Sequence, residues 1–186
     1  MLPLLVVVTG LPAAGKTTLA RQLAASTSMP LFSKDGIKET LYDALGTGDL
    51  AWSRRLGAAT FDLLFHILGS ELAAGRSCLV EGNFDAQKAT PRFNALQTIH
   101  LFRPFQLLCV AEGSTLLARY AARTGTRHPG HHDTEVLATA SAALLMGVAE
   151  PLGLGGTLIT VDTTNPAAID VDGLSRLILG EARLTA

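Results

Sequence analysis

Apolar and polar residues alternate along this chain in blocks that favour a strand-then-helix order. Short apolar runs predict five β-strands, at residues 4–9, 30–33, 77–80, 106–110 and 157–161. Longer stretches with helical spacing predict helices at 18–25, 36–44, 49–74, 91–101, 114–123, 134–149 and 169–179. Strands that alternate with helices are typical of a parallel sheet with helices on both faces. We therefore predict one α/β domain over residues 1–186.

The longest predicted helix has recognisable ends. Its apolar residues fall at helical spacing and are Phe61, Leu64, Phe65, Leu68 and Leu72. Asp49 precedes the helix and suits an N-cap, and Gly75 follows it and suits a C-cap.

A glycine-bearing segment joins the first strand to the first helix. It reads GLPAAGKT over residues 10–17 and fits the P-loop pattern G-x-x-x-x-G-K-[ST]. Loop N–H groups and the helix N-terminus favour bound phosphate, and the flanking strand and helix disfavour a chance match. The predicted nucleotide-binding residues are Gly10, Leu11, Pro12, Ala13, Ala14, Gly15, Lys16, Thr17 and Thr18. Gly10 and Gly15 would let the backbone approach the phosphates. Lys16 would bind the β- and γ-phosphates, and the Thr17 hydroxyl would ligate Mg²⁺.

Composition narrows the class of protein. Hydrophobic residues make up 48% of the chain and charged residues 17%, which is typical of a compact globular protein and excludes a disordered one. A net charge of −1 gives no general attraction for nucleic acid. The apolar runs are shorter than a membrane span, and residues 1–8 lack the charged segment of a signal peptide. Cys78 and Cys109 lie in strand-like runs and are expected to be reduced core residues, which fits a cytoplasmic protein.

Polar residues follow the second and third strands, at the sheet edge where ligands bind in such folds. Asp35 suits a base that orients an acceptor hydroxyl and takes its proton, and it equally suits an N-cap. Glu81 ends a strand that lacks the usual Walker B Asp; it could hold Mg²⁺ through water, contact the acceptor, or simply be solvated. Asn83 could bind a substrate hydroxyl or only shape the turn.

Three arginines precede or lie within a polar loop at 124–133. Arg119 and Arg123 share one helix face, and Arg127 follows in the loop. Arginines on a flap can fold over a triphosphate and neutralise charge in the transition state, although a solvated helix face is the alternative. The neighbouring histidines His128, His131 and His132 favour a polar loop or substrate contacts over a zinc site.

The chain resembles the P-loop kinases grouped with zeta toxins, chloramphenicol phosphotransferase and the kinase domain of phage polynucleotide kinase. The matching segments are GLPAAGKTTLA, SKDGIKETL, LVEGNF, ARYAARTGTRHPGHHD and VDTT, in the family's order and over nearly the whole chain. The P-loop identifies the superfamily of AAA-type ATP-binding proteins. The Asp after the second strand and the arginine-rich RHPGH segment are specific to this branch.

The resemblance implies a P-loop NTPase three-layer sandwich with a five-stranded parallel sheet of order 2-3-1-4-5. It implies a lid at about 119–133, Asp35 as general base, and Arg119, Arg123 and Arg127 as lid arginines. After the fifth strand, residues 162–164 would either face adenine or form an ordinary turn. The acceptor is not fixed, because members of this branch phosphorylate antibiotics, nucleotide sugars or polynucleotide 5′-ends.

These observations predict a kinase that uses ATP and Mg²⁺ and transfers the γ-phosphoryl group to a hydroxyl of a small molecule. A polynucleotide 5′-end is a less favoured acceptor, because the charge is near zero and the chain has one Trp and two Tyr for base stacking. An ATPase or nucleotide switch is the alternative from another class.

Overall fold

The five strands form a single parallel sheet in the computed structural model, which describes residues 2–132 and 149–183. The strands are β1 (Leu4–Gly10), β2 (Leu31–Ser33), β3 (Cys78–Glu81), β4 (Arg103–Val110) and β5 (Thr157–Asp162). They lie in the order β2-β3-β1-β4-β5, which confirms the predicted 2-3-1-4-5 order.

The central strand β1 pairs with both β3 and β4. Its register places Val8 opposite Glu81 on one side and Leu107 on the other. Every residue of β1 is buried, because a central strand of a parallel sheet is covered on both faces. Full burial of each Val or Leu side chain contributes about 1.5–3 kcal/mol.

Side-chain alternation along β1 divides the apolar core between the two faces of the sheet. Leu4, Val6 and Val8 face a cluster that includes residues of α1 (Lys16–Thr27), α5 (Gly113–Arg123) and α6 (Val171–Arg183). Leu5 and Val7 face a second cluster that includes residues of α3 (Leu50–Ala73) and α4 (Ala86–Ile99). The three-layer arrangement follows from the period-two geometry of a strand.

Helix α2 (Lys34–Leu45) begins directly after β2. Its N-cap is Ser33, whose Oγ accepts a hydrogen bond from the Gly36 N–H at 3.3 Å. The N-cap interpretation of Asp35 is therefore wrong, since Asp35 lies within the first turn. A carboxylate there still interacts favourably with the positive end of the helix dipole.

Helix α3 has the predicted ends. The Asp49 carboxylate accepts a hydrogen bond from the Trp52 N–H, and Gly75 adopts a φ of 71° just after the helix. This helix is long and apolar enough to span a membrane, but core helices of soluble proteins have the same length and composition. Its residues Leu64 and Leu68 are fully buried in the core against the sheet.

Helix α4 and strand β4 begin several residues before their predicted starts. Helix α4 begins at Ala86 rather than Pro91, because the Asp85 carboxylate caps it by accepting from the Lys88 N–H at 3.0 Å. Strand β4 begins at Arg103 rather than at residue 106, because its pairing with β1 continues to Leu4.

Residues 124–132 are the described part of the predicted lid loop. They follow α5, contact α2 and contain one 3₁₀ turn, Pro129–His131. The helix predicted at 134–149 and Asp133 of the loop lie outside the described residues, apart from Ala149. The last helix, α6, runs from Val171 to Arg183 and so begins and ends later than predicted. Cys78 and Cys109 are buried and free, as expected, and burial raises the pKa of each thiol to about 12.

Candidate active site

The carboxyl ends of β1, β2 and β3 bring together most of the residues singled out in the sequence. Lys16, Thr17, Asp35, Glu81 and Asn83 line one cavity of about 190 Å³, which we call the Asp35 cavity. Parallel strands end at the same edge of a sheet, so short loops after neighbouring strands must meet there.

The P-loop backbone requires glycine at its first position. Gly10 has a φ of 144°, and a Cβ atom there would overlap the carbonyl oxygen of Cys109 on β4. Gly15 has a φ of 71° and lies just before α1. Ala13 also has a positive φ of 66°, which is unfavourable for a residue with a side chain and marks local backbone strain at the loop.

The Lys16 side chain is folded back along the loop. Its Nζ donates a hydrogen bond to the Leu11 carbonyl oxygen at 2.7 Å, and the residue is 7% exposed. Burial lowers the pKa of this ammonium to about 8, although the negative charge of Glu81 acts in the opposite direction. A phosphate beside Nζ would offset the loss of hydration. The buried ammonium therefore favours an anionic ligand.

Glu81 is a buried carboxylate at the end of β3. It is 3% exposed and accepts hydrogen bonds from the hydroxyls of Thr17, at 3.1 Å, and Ser33, at 2.9 Å. The solvated interpretation of Glu81 is therefore wrong.

The Thr17 and Glu81 oxygens fit a Mg²⁺ site. Two adjacent ligands of an octahedral Mg²⁺ lie about 2.9 Å apart, and both groups are the hard oxygen donors that Mg²⁺ takes. Within residues 2–132 and 149–183, no group of three His, Cys, Asp or Glu residues is placed to hold a metal. Mg²⁺ needs no such group, because phosphates and water complete its shell.

Asp35 lies between two cations. Its carboxylate accepts from Lys34 Nζ at 3.0 Å and from Arg127 Nη2 at 2.7 Å. Burial raises the pKa of this carboxyl, but the charges of Lys34 and Arg127 outweigh it and hold the pKa at about 2. The group is therefore ionised at neutral pH and can accept a hydrogen bond from a hydroxyl.

The three predicted lid arginines contact three different parts of the site. Arg119 Nη2 donates to the carbonyl oxygens of Thr163, at 2.8 Å, and Thr164, at 3.1 Å, in the segment after β5. Arg123 lies over the Tyr120 ring at 4.5 Å, and Arg127 pairs with Asp35. Among the described residues, the buried atoms Arg119 Nη1 and Arg123 Nε have no hydrogen-bond partner. Unpaired buried guanidinium nitrogens are costly, so a ligand that accepts their hydrogen bonds would stabilise them.

A second cavity, of about 330 Å³, lies on the other side of Lys16 and is called the P-loop cavity. The described residues that line it are Ala13, Gly15, Lys16, Thr17, Thr18, Leu19, Gln22, Arg119, Arg123, Thr163, Pro166 and Ile169. Thr163 contacts the P-loop, because its hydroxyl donates a hydrogen bond to the Ala14 carbonyl oxygen at 3.0 Å. Lys16, Thr17 and Arg123 line both cavities, so the two spaces adjoin across these side chains.

The Asp35 cavity is strongly cationic. Its described lining includes Lys16, Lys34, Lys38, Arg123 and Arg127 but only two carboxylates, a surplus of three positive charges. The whole chain has a net charge of −1, so this charge is concentrated at the site. Such a concentration attracts polyanionic ligands.

The histidines of the predicted lid contact α2 and the loop that joins α2 to α3. His128 Nε2 lies 3.1 Å from the Asp43 carboxylate, His131 Nε2 lies 2.8 Å from Glu39, and His132 Nε2 lies 3.0 Å from the Gly48 carbonyl oxygen. The His128 ring stacks on Tyr42 with centroids 5.1 Å apart. These contacts hold the segment that carries Arg127 against the site.

Around the Asp35 cavity, four residues were not singled out from the sequence: Ser33, Lys34, Lys38 and Tyr120. Gln22, Pro166 and Ile169 of the P-loop cavity were missed as well. Lys34 precedes Asp35 and Lys38 follows one helical turn later, so the i, i+4 spacing on α2 was the available signal. Tyr120 shares the helix of Arg119 and Arg123 and carries no signal of its own. Thr163, considered as part of a segment after β5 that would face adenine or form a turn, donates a hydrogen bond to the Ala14 carbonyl oxygen of the P-loop.

Comparison with known structures finds relatives that share this fold. A candidate kinase from Chloroflexus aurantiacus is 42% identical, with a TM-score of 0.91, over 97% of this chain and 98% of that one. A sugar kinase from Janibacter sp. HTCC2649 is 16% identical with a TM-score of 0.60, over 97% and 96% of the two chains. A gluconokinase from Sinorhizobium meliloti 1021 is 18% identical with a TM-score of 0.58, over 100% and 99%. The last two show a shared fold only.

No curated protein matches this sequence. The AAA domain family, in contrast, matches residues 5–147, which include the P-loop, β2, β3 and the predicted lid. The fold, the P-loop and this match together show that the chain belongs to the AAA domain family of P-loop proteins.

Proposed function

We propose that this protein is a kinase that transfers the γ-phosphoryl group of ATP to a hydroxyl of a small molecule. The observation that carries the proposal is the Asp35 cavity, where P-loop residues, the Thr17–Glu81 oxygens and the Asp35–Arg127 pair line one space. Phosphoryl transfer needs these three elements together: a phosphate cradle, a metal site and an orienting carboxylate.

The P-loop would bind the phosphates of ATP through its N–H groups and Lys16. Thr17 and Glu81 would hold Mg²⁺, directly or through water, and the bound ion would neutralise charge on the β- and γ-phosphates. The P-loop cavity, with Gln22, Pro166 and Ile169 in its lining, would take the nucleoside.

Asp35 would accept a hydrogen bond from the acceptor hydroxyl and later take its proton. A carboxyl with a pKa of about 2 is a weak base, and a loose transition state tolerates this, because the proton moves late. Orientation of the hydroxyl is therefore the main contribution that we assign to Asp35.

The three arginines would each bind a different part of the site. Arg119 would position the segment after β5 and bind the nucleotide through Nη1, and Arg123 would contact the phosphates between the two cavities. Arg127 would stabilise the transferring group while holding Asp35. Asn83, which lies 3.4 Å from Lys34 Nζ, would contact the acceptor.

The small Asp35 cavity favours a small-molecule acceptor over a polynucleotide end. Its arrangement also supports membership of the branch with zeta toxins and chloramphenicol phosphotransferase, through the Asp after β2 and the RHPGH segment.

Transfer of label from γ-labelled ATP with Mg²⁺ to a panel of hydroxyl compounds tests the proposal. Asp35→Asn should lower transfer by about 10²–10⁴-fold, because the amide orients the hydroxyl poorly and takes no proton, while ATP binding persists. The matched control is Asp172→Asn, an exposed carboxylate in the first turn of α6.

Unchanged turnover in Asp35→Asn would contradict the assignment of Asp35. Label released only as free phosphate, at equal rates by the Asp35→Asn and Asp172→Asn proteins, would favour an ATPase or nucleotide switch. Transfer to a 5′-hydroxyl oligonucleotide that weakens as salt rises would favour a polynucleotide kinase.

A further inference from the structure

A third cavity, of about 390 Å³, opens beside the Asp35 cavity and is called the Phe61 cavity. The two cavities share Lys34 and Asn83 in their linings. Lys34 Nζ pairs with Asp35 on one side and lies 5.8 Å from the centroid of the Phe61 ring on the other. A molecule in the Phe61 cavity could therefore present a group to Asp35 past Lys34.

The floor of the Phe61 cavity is apolar. Ala58, Phe61 and Phe65 of α3 and Ala89 of α4 contribute to it. Phe61 is half-buried and packs on Phe84 with ring centroids 6.1 Å apart, so part of its ring remains accessible.

Polar or charged side chains form the rim, namely Lys34, Asp62, Asn83, Asp85, Lys88 and Arg92. Arg92 pairs with Asp62 at 2.8 Å and lies 4.4 Å over the Phe65 ring. The Asp85 carboxylate caps α4, and Lys34 is paired with Asp35. The floor itself offers no polar side chain, so the hydroxyls of a sugar seated on it would lack hydrogen-bond partners there, and a buried hydroxyl without a partner costs free energy.

We propose that the Phe61 cavity binds the non-reacting part of the acceptor, and that this part is an apolar ring. This inference rests on the proposed function. The acceptor is then an alcohol with its hydroxyl near Asp35 and its ring against Phe61, rather than a bare sugar or sugar acid. The sugar kinase and the gluconokinase share the fold at below 20% identity, and their named substrates do not decide this point.

The test compares two probes and two variants. Phenylethane-1,2-diol has a ring and a hydroxyl pair, and gluconate has hydroxyls without a ring. Ala58→Phe fills the cavity from α3, and Ala59→Phe places the same side chain at the next exposed position, which does not line the cavity.

We expect saturation-transfer NMR to show that phenylethane-1,2-diol binds and gluconate does not. Binding of the diol should weaken about tenfold or more in Ala58→Phe and stay within about twofold in Ala59→Phe. Label transfer from γ-labelled ATP to the diol should follow the same order.

Binding of gluconate in preference to the diol, absence of diol binding, or equal diol binding by Ala58→Phe and the unaltered protein would each overturn the inference. Failure of the proposed function is separately visible, because it would appear as an absence of ATP binding or of phosphoryl transfer to every acceptor. The NMR measurement needs neither ATP nor turnover, so its result stands in either case.

Discussion

At the residue scale, the site depends on charges held away from water. Lys16 is almost fully buried and has a pKa of about 8, whereas Asp35 is held between two cations at a pKa of about 2. The lowered pKa of Asp35 contributes stability that is present above its ordinary value of 3.8 and is lost as pH falls toward 2. The lowered pKa of Lys16 works against folding at neutral pH, since the charged amine is better solvated in the unfolded chain.

Lys16 predicts a pH dependence of ATP binding. Phosphate favours the charged amine and raises its pKa in the complex, so binding above pH 8 must take up a proton. Affinity should be constant below about pH 7 and should fall toward about tenfold per pH unit above the pKa of about 8. Isothermal titration calorimetry near pH 9, in two buffers of different ionisation enthalpy, would measure the uptake.

The control for this measurement is Lys16→Met, which cannot titrate and should bind ATP weakly without this proton uptake. If the unaltered protein binds ATP equally well near pH 7 and pH 9 with no uptake, the amine does not touch the phosphates.

At the scale of elements, the segment after α5 is fixed by its fit to α2 and α3. Gly130 packs directly on the ring of Tyr42, and its carbonyl oxygen accepts from the Ser53 hydroxyl at 3.3 Å. The Tyr42 and Ser53 hydroxyls lie 2.6 Å apart, which joins α2 to α3 beneath the segment. Arg127, three residues before Gly130, is thereby placed on Asp35.

Gly130→Ala should disturb this fit. A Cβ atom at Gly130 would lie 2.6 Å from atoms of the Tyr42 ring, so the segment must shift and carry Arg127 away from Asp35. We expect kcat/KM for phosphoryl transfer to fall about tenfold or more, in line with the loss from small misplacements of a positioned group. Affinity for ATP, measured by calorimetry, should change much less.

Gly180→Ala is the matched control, because Gly180 lies in α6 with no heavy atom within 4 Å of its added Cβ. A Gly130→Ala protein with full transfer activity would show that the docked position of Arg127 is dispensable.

At the scale of the whole molecule, positive charge is concentrated at one edge of the sheet. A chain of net charge −1 concentrates a surplus of three positive charges around one cavity at the carboxyl edge of its sheet. Repulsion among these cations is unfavourable without an anionic ligand, and a bound triphosphate would relieve it.

Nucleotide binding should therefore stabilise the whole fold. At a free ATP–Mg²⁺ concentration of about 100 times Kd, the gain is about 2.7 kcal/mol, which corresponds to a rise in Tm of about 5–10 °C for a chain of this size. Differential scanning calorimetry with and without the nucleotide measures it. Lys16→Met should lose most of the rise; an equal rise in that variant would place the nucleotide elsewhere.

Much of the fold could be predicted because its signals are local. The five apolar runs became five strands, and Asp49 and Gly75 marked the ends of α3, since caps and periodicity depend on neighbouring residues. The starts of α4 and β4 were wrong, because the first depends on a cap at Asp85 and the second on pairing with β1. The strand order came from the resemblance, since no single strand encodes its neighbours.

The α/β pattern and the P-loop with its lysine follow from the order of residues alone, because a contiguous motif carries its own geometry. The contacts of Arg127 with Asp35 across 92 residues and of Glu81 with Thr17 across 64 are visible only in the folded chain. The folded chain also shows that Ser33, rather than Asp35, caps α2. Contacts between distant residues depend on how strands pair and helices pack, and that arrangement follows from the burial of the whole core rather than from any local segment.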